Sequence, residues 1–254
     1  MKQGSIAILA IVLGIVVLGS SPVFALTMTV DGAVSDWGIT VADNNGSSWT
    51  PTAGIFYSAG EDQFNDNSNS GQVFPGYGGQ RYDAEGLYAT YDADFLYLLV
   101  VTGLRPEGWK WKPGDIAIAF DNDITQAEFG VETTGGNAGG LYNNITWGHG
   151  LSNWSGVSDP TEIVSGHLLG GNDLVYQQVS EQHYVIETKI DLSLFGDYWQ
   201  EGKNFKAHWT MTCGNDAVDI DPVPITTVPE PSMLLLIGLG LVGIAGVSRK
   251  HLKK

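Results

Sequence analysis

A single cysteine, Cys213, stands among 254 residues. An internal disulfide is excluded, so stability must come from a packed core, with or without a bound ion. Basic residues are also scarce. All 28 acidic residues, but only seven of the 12 basic ones, fall within residues 26–248, which gives that segment a formal charge of −21. Phosphate contacts require a basic surface, so nucleic acid is excluded as a partner. The negative field favours solubility and attracts cations. Helical periodicity is nearly absent between the two ends. No G-x-S-x-G nucleophile elbow occurs. His149, His167, His183 and His208 lack a metal-ligand spacing such as H-x-x-x-H. His208 and Met211 fall on opposite faces of one strand pattern, which excludes a shared haem iron there. Carboxylates are too abundant for any pair to stand out as glycosidase machinery. These absences lead us to expect a non-catalytic protein, with a glycan-active enzyme as the alternative.

Long apolar runs are confined to the ends. "MKQGSIAILAIVLGIVVLGSSPVFA" has the parts of a secretory signal peptide: Lys2, an apolar core over residues 6–18, and a small-x-small site at Val23, Phe24 and Ala25. Its 13-residue core is short of the roughly 20 residues that span a bilayer. Cleavage after Ala25 is expected. The chain closes on "VPEPSMLLLIGLGLVGIAGVSRKHLKK". Residues 232–247 would form a transmembrane helix of about 24 Å against a bilayer core of about 30 Å. The basic tail, residues 249–254, keeps its end cytoplasmic by the positive-inside rule. A permanent anchor and a removable signal share these features; Pro229, Glu230 and Pro231 on the outer side favour the signal.

What lies between is rich in glycine, asparagine, aspartate and aromatics. "LTMTV" is a short β-like run closed by the turn "DGAVSDWG". "GLYATYDADFLYLLVVTGL" reads as two strands around a turn at Asp92, Ala93 and Asp94. "GDIAIAFDND" carries a strand apolar on both faces, and "EFGVETT" should pair with it as a hairpin. "HYVIETKIDLSLFG" gives a strand running into a short helix capped by Asp191 and Ser193. In "NFKAHWTMTCGND", Phe205, Ala207, Trp209, Met211 and Cys213 share one face, which places Cys213 inside and inert. Lys206 and His208 share the other face, so His208 is expected to be exposed. The pattern predicts an all-β, antiparallel β-sandwich over residues 26–218, a proline-rich linker over 219–228, and a sorting segment over 229–254. The stretches 40–80 and 135–173 read as loops.

Two residue sets suit ligands. Trp109 and Trp111 flank Lys110 in "PEGWKWKPGD" and would point the same way in an extended chain. Trp147 and Trp154 lie in the polar "NNITWGHGLSNWSG". Exposed indoles stack on the apolar faces of sugar rings; buried ones would cover the ends of the core. "FDNDITQAE" offers Asp121, Asp123 and Glu128, hard oxygen donors suited to calcium, although the spacing is not that of an EF-hand. Ordinary turn chemistry accounts for the same residues.

The closing segment resembles a PEP-CTERM sorting signal. Pro229, Glu230 and Pro231, the apolar stretch, and the basic end with Arg249 and Lys250 occur in its order. The resemblance implies export through the translocon with signal peptidase, then processing by an exosortase. It further implies a Gram-negative host, an inner-membrane stage, and delivery to the cell surface or its exopolysaccharide matrix. The middle resembles the DOMON-like β-sandwiches, which include carbohydrate-binding module family nine. "TVDGAVSDWG", "YDADFLYLLVVTG", "KPGDIAIAFDND" and "YVIETKIDLSLFG" occur in that family's order. This second resemblance implies carbohydrate binding, with exopolysaccharide as the ligand. The alternative is a structural surface or biofilm-matrix protein with no specific ligand.

Overall fold

The computed structural model describes residues 27–42, 47–59, 79–151, 158–171 and 173–226. The signal peptide, the sorting segment with its expected transmembrane helix, and Trp154 lie outside the described residues. Among the described residues, no helix is long and apolar enough to cross a membrane.

Eleven strands are formed there: β1 (Phe56–Ala59), β2 (Ala84–Tyr91), β3 (Phe95–Thr102), β4 (Ile116–Ala119), β5 (Phe129–Val131), β6 (Gly140–Trp147), β7 (Ile163–Gly171), β8 (Asp173–Gln178), β9 (Tyr184–Asp191), β10 (Asn204–Thr210) and β11 (Ala217–Pro224). They make a five-stranded sheet in the order β1-β2-β3-β9-β8 and a six-stranded sheet in the order β11-β10-β4-β5-β6-β7. Every pairing is antiparallel. The expected all-β sandwich is present.

Period-2 patterning sets which side chains meet between the sheets. Leu96, Leu98 and Val100 of β3 face inward from one sheet; Phe205, Ala207 and Trp209 of β10, with Met211 and Cys213, face inward from the other, all in one buried cluster. Trp209 is fully buried and its indole N–H donates to Gly114 O at 3.1 Å. The β2–β3 turn is held by Asp92, whose Oδ1 accepts from the amides of Asp94 and Phe95 at 2.8 and 2.7 Å. After β9, Asp191 caps a 3-10 helix (Leu192–Tyr198) by accepting from the amide of Ser193 at 2.8 Å. The hairpin of β4 with β5 also forms as its pattern requires.

Strand β3 is apolar on both faces, so the outer face of its sheet needs a cover. The segment around Trp37 supplies it. Trp37, Ile39 and Ile55 pack with Tyr88, Tyr97, Leu99, Val101 and Val185 in a second cluster. Residues 27–30 of "LTMTV" form no strand and run into this covering segment. A third, smaller cluster of Ala117, Ala119, Ala127 and Trp147 lies on the outer face of the six-stranded sheet.

Three further expectations are corrected. Residues 219–224, read as linker, belong to β11, which pairs with β10 and buries Ile220 and Val223; Ile225 is also core. Of the two stretches read as loops, residues 40–80 contain β1, and residues 135–173 contain β6 and β7. His208 is buried rather than exposed, with Nδ1 2.8 Å from Asp219 Oδ1 on the neighbouring strand. Alternation chose its face correctly, but that face is covered.

Candidate functional site

Trp109 is an exposed indole that borders a cavity. Its backbone lies in a tight turn. Gly108 has φ +67°, a region that favours glycine. Its amide donates to Arg105 O at 2.8 Å, and the amide of Trp109 donates to Trp111 O at 2.9 Å. That turn separates the two tryptophans that an extended chain would have aligned. Trp111 packs partly buried against the main core. Trp109 is 43% exposed and borders a cavity of about 260 Å³ with Gln80, Arg81, Gly103, Arg105, Glu181, Gln182 and Tyr184.

The ring of Trp109 is already engaged. The guanidinium carbons of Arg81 and Arg105 lie 4.0 and 3.7 Å from its centroid. Each such contact with an indole is favourable by about 0.5–1 kcal/mol at an exposed site. Arg105 is also tied to its turn, since its Nε donates to Gly108 O at 2.7 Å. Arg81 sits on a separate 3-10 turn, Gln80–Tyr82. That turn is anchored below by Gln80, whose side-chain amide donates to Glu85 Oε1 and Gln182 O. Glu85 in turn lies 2.7 Å from His183 Nδ1, with both side chains fully buried. The Tyr82 hydroxyl accepts from the Lys110 amide at 3.1 Å, joining the two turns. Close approach also needs Gly103, where a Cβ would fall 1.5 Å from Gln80 O. This support was not legible as a site, because its members are distant in sequence and none stands in a recognised spacing.

Residues 227–250 match the family model of the PEP-CTERM protein-sorting motif. The match contains Pro229, Glu230, Pro231, Arg249 and Lys250, and bears out the sorting signal expected there. The motif supports export, cell-surface localisation in bacteria, and an exosortase as processing partner. No curated protein and no solved structure matches the chain.

The remaining candidates are dispersed. Trp147 is 9% exposed and donates its indole N–H to Ala127 O at 2.9 Å, so it covers the outer face of the sheet. Asp121 Oδ1 accepts from the Asp123 amide at 2.8 Å. Asp123 Oδ1 accepts from both the amide and the hydroxyl of Thr125, at 3.2 and 2.6 Å. Glu128 Oε2 accepts from the Phe120 amide at 2.9 Å. Each carboxylate braces its own loop. Among the described residues, no group of three or more His, Cys, Asp or Glu is placed to hold a metal ion.

A second cavity, about 470 Å³, is acidic, with Asp115, Glu132 and Glu162 beside Tyr142 and Lys112. Asp115 is buried, and its two oxygens accept from the amides of Thr133 and Ile163 at 2.8 and 2.7 Å. Burial pushes its carboxyl up to about 6, Glu132 and Glu162 push the same way, and the two amides oppose them. Asp115 thereby ties β4, β5 and β7 together at their ends.

Proposed function

We propose that this is an exported, exosortase-processed surface protein whose β-sandwich is a non-catalytic carbohydrate-binding ectodomain. On this proposal the chain passes the inner membrane of a Gram-negative bacterium before its sorting segment is processed. The observation that supports binding is the Trp109 cavity. It combines an exposed aromatic side chain with the hydroxyl of Tyr184 and two guanidinium groups. Those are donors and acceptors suited to sugar hydroxyls, held by a rigid sandwich. The likeness of four segments to the DOMON-like sandwiches points the same way. The test is retention of the full-length protein, in detergent, on a panel of immobilised polysaccharides, beside Trp109→Ala. Retention by at least one polymer, weakened by the substitution, is expected. Retention by none, or equal retention of the variant, removes the proposal.

A structural role in the matrix is favoured by a different observation. Strand β7 is an edge strand exposed along most of its length, with Val164 63% and Leu168 43% exposed. An open apolar edge of this kind can pair with another copy. Light scattering of the protein against Val164→Lys, with no change in mass between them, would dismiss that role.

A further inference from the structure

The seven basic residues of the acidic segment are not spread evenly. Three of them, Arg81, Arg105 and Lys110, lie on the two joined turns at the Trp109 cavity. The rest of the surface repels anions, so an anion would be drawn to this place. One carboxylate, Glu181, lines the cavity against two guanidinium groups. Glu107 stands 4.0 Å from Arg105 Nε but is 77% exposed, which leaves that pair largely screened by solvent. Among the described residues, no carboxylate pairs with Arg81.

The geometry also prepares the arginines. Contact with the Trp109 ring holds both guanidinium groups at the cavity before any ligand arrives, which lowers the entropy lost on binding. Arg105 uses Nε on Gly108 O, and its two terminal nitrogens remain as further donors of the guanidinium fork. A planar fork of this kind matches a carboxylate, which a neutral sugar lacks. Because Trp109 is occupied by protein groups, stacking of a sugar face on the indole becomes secondary to capture of an anion.

We infer that the ligand of the Trp109 cavity is an acidic polysaccharide, with uronate carboxylates taken by Arg81 and Arg105 and a neighbouring hydroxyl by Tyr184. The inference rests on the carbohydrate-binding function proposed above and narrows it to a substrate class.

The experiment measures binding of the full-length protein in detergent to polygalacturonate, to the same polymer after carboxyl reduction, and to duplex DNA. Expected is an affinity for the uronate polymer about tenfold or more above the reduced one, the size of one charge-assisted contact. The preference should shrink between about 50 and about 500 mM salt, as screening shortens the reach of the charges. Arg81→Gln, at an exposed side chain, should lower uronate binding several-fold with an unchanged melting midpoint; Arg81→Lys should restore only part. Equal affinity for the two polymers, an Arg81→Gln variant that binds uronate normally, or equal binding of DNA overturns the acidic-ligand inference while leaving carbohydrate binding standing in the first two cases. Binding to neither polymer removes both.

Discussion

The indole N–H of Trp37 donates to Glu187 Oε1 at 2.7 Å, joining two residues 150 positions apart. The other oxygen, Oε2, accepts from the amides of Asp31 and Gly32 at 3.0 and 2.7 Å. One carboxylate on the outer face of the five-stranded sheet thus fastens the whole covering segment. Burial raises its pKa while these three donors oppose the rise. Trp37→Phe should destabilise the domain by about 1–3 kcal/mol, the cost of leaving a buried polar group unpaired. Glu187→Ala should cost more, since three donors lose their acceptor. Urea unfolding followed by tryptophan fluorescence measures both; an unchanged midpoint for Glu187→Ala would show that the cover is held by apolar packing alone.

The end of the domain gives a second prediction. Gly202 donates its amide to Ile225 O at 3.0 Å, and the Tyr91 hydroxyl reaches Pro224 O at 2.8 Å. A chain ending at residue 218 loses Ile220, Val223 and Ile225 from the core and exposes the edge of β10. It should fail to unfold cooperatively, whereas one ending at 226 should melt in a single sharp transition. Calorimetry of the two truncations distinguishes them.

Asp115 makes stability depend on pH in a definite direction. Its folded pKa, about 6, lies above the ordinary aspartate value, so the folded state holds the proton more tightly. The contribution is fully present below about 4 and is lost as pH rises through about 6. Relative to Asp115→Asn, the wild type should therefore lose stability as pH is raised from about 4 to about 7. Parallel urea titrations at several pH values read this difference, and a difference independent of pH would rule the titration out.

Cys213 offers a simple check of the core. It is 1% exposed, and burial pushes its thiol up to about 11. At about pH 8 the native protein should resist a thiol reagent that modifies it fully in urea. Fast labelling of the native state would place the residue at the surface.

Much of the sandwich was legible because it depends on local alternation. Residues 205–213 show one apolar face, and the fold buries that face. The turns at Asp92 and Asp191 were legible because an aspartate bonding amides two or three residues ahead is a local event. The strand β11 was not, because its prolines and aspartates argue for a linker until pairing with β10 supplies a partner. His208 was misjudged for a related reason: a polar face is exposed only if nothing covers it, and coverage is a long-range fact. Among the site residues, Trp109 and Arg105 share one turn and could be seen together, whereas Arg81 comes from a distant turn, brought there by the Tyr82–Lys110 bond and the Gln80, Glu85 and His183 network.

The sequence by itself determined the address of this protein, the all-β class and the inward face of its strands. A sorting motif is read as a linear string, and side-chain alternation follows from backbone geometry alone. Only the tertiary structure decided that Trp147 is structural, that Trp109 is clasped by two arginines, and where the scarce positive charge collects. Those outcomes depend on contacts between segments far apart in the chain, which no local pattern encodes.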